Sequence, residues 1–174
     1  LERISSWFEN YSDDIYHYLV YYTGRKDVED LVQEVFIKAM KGIDGYKGSS
    51  SPKTWLISIA RNTAITEIRK QKVLRFVPFA EGIEIKDERK INPEIISEEK
   101  ETYASLLRAI SKLRKPYRDV ILLRKISELN VEETAAVLGW KVEKVNLTLH
   151  RALKALEKEL STKNGGDHFE ESLG

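Results

Sequence analysis

Cysteine is absent from the 174 residues, and methionine occurs once. Without cysteine neither a disulfide framework nor a thiolate metal site can form. Histidine is almost as scarce. His17, His150 and His168 lie far apart in sequence, and no HExxH pair is present. A P-loop, a dinucleotide GxGxxG and a Gly-x-Ser-x-Gly elbow are also missing. No stretch approaches 18 consecutive apolar residues, so no spanning helix is expected. The opening LERISSWFEN lacks a basic segment followed by an apolar block, so no secretory signal is expected either. These absences point to a water-soluble, cytoplasmic chain with no cofactor and no metal. Carboxylates are plentiful, but they sit in helix first turns and in one acidic segment. Capping accounts for them better than acid–base catalysis does, so the chain does not read as an enzyme.

An excess of one charge is missing too: 29 basic side chains face 28 acidic ones, for a net charge of +1. The placement of the charges is less even. Residues 1–46 carry 5 basic and 9 acidic side chains, and residues 47–76 carry 7 basic and one acid, Glu67. Residues 77–105 return to 4 basic and 8 acidic, and residues 106–160 hold 12 basic and 7 acidic. The tail, 161–174, is again acidic. Two cationic segments separated by an acidic one offer two places for a polyanion.

What is abundant is helical periodicity. Ile4, Trp7, Phe8, Tyr11, Ile15, Tyr18, Leu19 and Tyr22 form one apolar stripe, closed by Gly24. Asp27 is expected to cap a second helix, striped by Val28, Leu31, Val32, Val35, Phe36, Ala39 and Met40. A Gly/Ser-rich loop follows. Ser51 and Pro52 then signal the start of a third helix, with Trp55, Leu56, Ile59, Ala60, Thr63 and Ile68 inward, ending near Lys72. Between Val73 and Glu98 the period is lost among Pro78, Gly82 and Pro93. This segment reads as a linker. Beyond it come a stripe of Tyr103, Leu106, Leu107, Ile110 and Leu113, and a helix opened by Pro116. A short helix with a loose capping box, Asn130 and Glu133, ends at Gly139. A final helix runs from about Val142 to Leu160, with Val145, Leu149, Ala152, Leu153, Leu156 and Leu160 inward. No strands are expected. The fold class is all-α: a domain at 1–73, a flexible acidic linker at 74–98, a second domain at 99–161 and a tail at 162–174.

Val131 to Arg151 fits a helix-turn-helix. Ala135 is small where two helices must cross, and Gly139 supplies the left-handed turn. The outward face of the second helix is then Glu143, Lys144, Asn146, Leu147, His150, Arg151 and Lys154. Asn suits adenine, Arg suits guanine, and Leu147 suits a thymine methyl.

Two further stretches lie in the first half: Asp27-Val-Glu-Asp-Leu-Val-Gln-Glu-Val-Phe36, and Tyr46-Lys-Gly48 leading to Thr54-Trp-Leu-Ile-Ser-Ile-Ala-Arg-Asn62. With the helix-turn-helix ending in Leu149-His-Arg-Ala152, they resemble bacterial RNA polymerase sigma factors of the extracytoplasmic-function type. The resemblance covers about residues 4–160.

The resemblance implies a promoter-recognition subunit with core RNA polymerase and promoter DNA as partners. It also implies an anti-sigma partner, in many family members membrane-anchored. It places Asp30, Leu31, Gln33, Glu34 and Phe36 against the polymerase clamp. The −10 strand falls to a base-trapping loop, Tyr46, Lys47, Gly48, Ser49, Ser50 and Ser51, and to a reading helix bearing Arg61, Asn62 and Thr66. Lys53, Arg69, Lys70 and Lys72 would lie along phosphates. The −35 duplex falls to Asn146, Leu147, His150 and Arg151, with Arg124 and Lys144 on phosphates and Lys154 on the same face. The chain departs from the common family pattern at Asn146, Leu147 and Thr148, and at Thr66, where many members carry an acid. Two other readings stay open on sequence alone. One is a stand-alone helix-turn-helix regulator, and the other is a sigma-like decoy that binds polymerase without initiating.

Overall fold

A computed structural model describes residues 2–75 and 98–164; expectations for the remaining segments, including most of the acidic linker, lie outside the described residues. The chain divides into two compact units, 1–90 and 91–174.

In the first unit, α1 (Glu2–Thr23), α2 (Glu29–Gly42) and α3 (Pro52–Arg75) pack on one another in every pairing. A single 3₁₀ turn, Ile43–Gly45, follows α2. The core is built from the expected stripes: Trp7, Ile15, Tyr18 and Leu19 of α1 meet Leu31, Val32, Val35 and Ala39 of α2. From α3 come Leu56, Ile57, Ala60 and Ala64, each fully buried. Ile57 and Ala64 widen the inward face beyond the stripe legible in the sequence. Two stripe members are exposed. Phe8 is 45% exposed and Met40 44% exposed, because both sit at the edge of their helix's buried arc.

Helix starts follow local chemistry with one correction. Ser51 Oγ accepts the backbone N–H of Thr54 at 3.1 Å, a cap on α3 as expected. Asp27 does not cap α2. The residue before that helix is Val28, fully buried and without a side-chain cap, and Asp27 instead accepts Arg25 Nε at 3.3 Å.

In the second unit, α4 (Glu98–Lys112), α5 (Lys115–Ile121), α6 (Val131–Leu138) and α7 (Val142–Asn164) form a helical cluster around Leu107, Ile110, Val120, Ile121, Leu122 and Val145. Tyr103 and Leu153, expected inward, are 37% and 39% exposed at the margins of their helices. The end of α5 has no counterpart in the sequence pattern. Leu122–Ile126 continues as a π turn in which Ser127 N–H donates to the Leu122 carbonyl at 2.8 Å. Glu128 then takes a left-handed φ of +58°. Arg124 Nη1 donates to the carbonyl of Leu129, tying this turn to the start of α6.

Candidate nucleic-acid and partner-binding faces

The helix-turn-helix is built as its residue types dictate. Asn130 Oδ1 accepts Glu133 N–H at 2.8 Å, while Glu133 Oε2 accepts Asn130 N–H at 2.9 Å, which completes a reciprocal capping box. At the other end of α6, Gly139 has φ +66°, and Trp140 N–H donates to the Ala135 carbonyl at 2.9 Å. Ala135 is buried and α7 packs on α6. Val145 and Ala152, both at 0% exposure, pin α7 from below.

Geometry then decides which side chains are offered outward. Glu143, Lys144, Asn146, Leu147, His150, Arg151 and Lys154 are all exposed. Leu147 is 51% exposed, an apolar side chain within an otherwise polar face. Such exposure costs burial energy that the fold does not recover. Lys144 is partly occupied: its Nζ lies 4.2 Å from the centroid of the Trp140 ring. Arg124 is half-buried and donates from Nη1 to the Leu129 carbonyl, so it positions the turn before α6.

On α3, Asn62, Thr66 and Arg69 recur at i, i+4 and i+7 and are exposed, as are Lys70 and Lys72. Arg61 is half-buried. Thr66 Oγ1 donates back to the Asn62 carbonyl at 2.9 Å. Glu67 does not take over the position of the acid missing at Thr66. It turns to the other side of α3, where Arg25 Nη1 lies 3.4 Å and Gln71 Nε2 3.0 Å from Oε1. Burial works against the charge on Arg25, but the hydrogen bond and charge of Asp27, with Asp30 and Glu67 nearby, outweigh it and raise its pKa. Arg25 thus joins the α1–α2 turn to α3.

The loop between α2 and α3 is the more constrained part. Lys47, Gly48, Ser49 and Ser51 are exposed, Ser50 is half-buried, and Gly48 has φ +72°. Tyr46 is half-buried. Its ring packs 5.1 Å from Trp7 and 5.0 Å from Trp55, and its hydroxyl donates to the Ser50 carbonyl. Lys53, expected on a phosphate, pairs with Asp14 at 3.0 Å and links α3 to α1.

The face of α2 also needs correction. Leu31 and Phe36 are 2% and 6% exposed and belong to the core, so they hold the helix. Asp30 and Gln33 are exposed. Glu34 is half-buried and pairs with Lys38 at 2.7 Å. Ile37, 48% exposed, and Met40 lie on the same side, and Phe8 of α1 packs against Phe36 at 4.9 Å. In the sequence Phe8, Phe36 and Met40 look like ordinary stripe residues, and Ile37 lies off the α2 stripe.

Among the described residues no cluster of His, Asp and Glu could hold a metal, and no helix is long and apolar enough to cross a membrane. The Sigma-70 region 2 family model matches residues 7–73 and the Sigma-70 region 4 model residues 103–156. RNA polymerase sigma factor YlaC of Bacillus subtilis is 32% identical over 161 residues, covering 92% of this chain and 93% of its own length. ECF RNA polymerase sigma factor SigX of the same organism is 34% identical over 163 residues, covering 91% of this chain and 84% of its own. The chain belongs to the ECF RNA polymerase sigma factors. Its fold is shared with the sigma factor RpoE of Bartonella quintana, solved with the anti-sigma factor NepR, at a TM-score of 0.74 and 23% identity over 92% of this chain and 98% of that one. The region 2 match contains α2, the loop and almost all of α3, and the region 4 match contains the whole helix-turn-helix. The sigma factor therefore carries both segments singled out by charge, each falling mostly in a different matched region.

Proposed function

We propose that this sigma factor binds core RNA polymerase through the outer face of α2, opens and holds the −10 strand with the 46–51 loop and α3, and reads the −35 duplex with α7. The observation that carries the reading is the outward face of α7. Asn146, Leu147, His150, Arg151 and Lys154 are all presented by a helix whose opposite side is pinned by the fully buried Val145 and Ala152. A helix so mounted enters a major groove, where Arg and Asn hydrogen-bond to base edges and Leu147 meets a thymine methyl.

On α2 the docking surface is Asp30, Gln33 and Glu34 with Ile37 and Met40. The acids suit a basic partner helix, and the apolar side chains supply the buried area. On the −10 side, extruding a base costs a few kcal/mol, which polar loop contacts can recover. Asn62, Thr66 and Arg69 continue that surface along α3, and Lys70 and Lys72 add charge for the strand's phosphates. The protein acts as a non-catalytic subunit in the cytoplasm. An anti-sigma factor holds it inactive by covering these faces. The Bartonella quintana sigma factor that shares this fold was solved in complex with such a factor, NepR.

Reconstitution with core polymerase on a promoter library tests the reading. Specific initiation is the expected outcome; duplex binding without polymerase dependence, or polymerase binding without initiation, overturns it. Within that assay, Asn62→Ala lowers open-complex formation by about 1–2 kcal/mol, the worth of a hydrogen bond lost at a desolvated site. Polymerase affinity stays unchanged, and an equal fall in both would remove Asn62 from the DNA face.

A further inference from the structure

We propose that Arg3 is a positioning residue for the loop of residues 46–51: laid over Trp7 and Tyr46, its guanidinium holds that loop in the shape that receives a −10 base. The inference rests on the reading of the loop as a −10 contact. The guanidinium carbon lies 5.0 Å from the Trp7 ring centroid and 5.2 Å from that of Tyr46, both inside cation–π reach. Beneath it the rings interlock. Trp7 meets Tyr46 edge-on at 5.1 Å and 85°, and Trp7 meets Trp55 at 5.8 Å and 70°. The Tyr46 hydroxyl then reaches along the loop to the Ser50 carbonyl. One continuous set of contacts therefore runs from the first turn of α1 to the far side of the loop.

At its far end the loop is fixed by Ser51, which caps α3, and at its near end by Tyr46. Lys47, Gly48, Ser49, Ser50 and Ser51 are small or exposed, and Gly48 adopts a backbone conformation that leaves many alternatives in the unfolded loop. Tyr46 is the one bulky side chain there, and Arg3 covers its ring from outside. Helix stability does not explain the cation. Arg3 stands in the first turn of α1, where the helix dipole disfavours positive charge. Stacking on the loop's aromatics gives it a reason to be there. Trp7, 7% exposed, provides the fixed surface beneath.

The test uses the full chain with core polymerase and promoter DNA carrying 2-aminopurine at successive non-template −10 positions, so that unstacking of a base is read as fluorescence. Arg3→Ala is expected to lower the signal at the captured base, and open-complex formation with it, by roughly two- to fivefold. Polymerase affinity and −35 duplex binding stay as they were. Arg3→Lys, which keeps a cation over the rings, recovers most of the loss. The salt slope of promoter binding is unchanged, since no phosphate contact is removed. A slope reduced by about one marks Arg3 as a direct phosphate contact and overturns the proposal. In a Tyr46→Leu background Arg3→Ala adds no further loss, whereas full additivity overturns it. Lys47→Ala with Ser49→Ala separates the two readings. If that variant lowers the signal and Arg3→Ala does not, the positioning role is wrong and the loop reading stands. If neither changes it, the loop reading itself fails, and the proposal with it.

Discussion

Lys53 and Arg124 carry charges that the sequence offers to DNA, and both are engaged inside their own units, with Asp14 and with the Leu129 carbonyl. Residue type and segment charge say that cations are available; they do not say which ones face outward. On α7 the distinction is sharp. Arg151 and Lys154 are both exposed, and their chemistry predicts different losses. A planar guanidinium can bind one guanine edge through two donors, while an ammonium acts as a point charge on a phosphate. Arg151→Ala should therefore cost about 1–3 kcal/mol at one −35 base pair and relax the preference there. Lys154→Ala should weaken all −35 sequences alike and lower the salt slope of binding by about one. Selection of −35 sites from a randomised pool, repeated at several salt concentrations, checks both. Identical site logos for Arg151→Ala and the parent chain would remove Arg151 from the reading face. The burial of Leu31 and Phe36 teaches the same lesson in reverse. A motif residue that is apolar and periodic is as readily a core residue that shapes the docking helix as a member of its surface.

At the level of elements, boundaries were legible wherever a side chain supplies the missing backbone partner. Ser51 ahead of Pro52, Asn130 with Glu133, and Gly139 each act as their types require. The π turn at Leu122–Ile126 was not legible, because its register depends on where Leu122, Leu123 and Leu129 are buried together, and an apolar run alone does not set that. The start of α2 differs by one residue from the expected cap at Asp27: the buried Val28 stands immediately before the helix, and Asp27 pairs with Arg25. The two ends of α6 predict two stability losses. Asn130→Ala removes one capping acceptor and costs about 1 kcal/mol. Gly139→Ala forces a Cβ into a left-handed conformation, where the space is open but the backbone is strained, at about 1–2 kcal/mol. Because the chain divides into two units, a single global melting point mixes their transitions. Hydrogen exchange of the α6 and α7 amides is the suitable measurement, and both substitutions should speed exchange there while leaving α1–α3 unaffected. Uniform loss of protection across both units would contradict the division.

For the molecule as a whole, the net charge of +1 is the balance of cationic segments at 47–76 and 106–160 against acidic ones elsewhere. The cationic segments coincide with α3 and its preceding loop and with the helix-turn-helix unit, so charge placement alone outlines both proposed DNA-facing regions. The acidic residues between them have a consequence that net charge hides. Non-specific DNA binding is driven almost wholly by counterion release, so every acid the chain carries weakens it through the overall charge without touching base readout. Changing Glu81, Glu84, Asp87, Glu88 and Glu94 to their amides raises the net charge from +1 to +6 and removes that opposition. Binding of the free chain to promoterless duplex should then tighten by about tenfold at low ionic strength. The gain should fade as the Debye length shrinks to about 8 Å near physiological salt. Site-specific contacts on α7 are unchanged, so the ratio of promoter to promoterless binding falls, and competitor DNA inhibits initiation at lower concentration. If the amide variant binds promoterless duplex no better than the parent at low salt, the acidic segment plays no part in keeping this sigma factor off DNA, and its charge serves another partner.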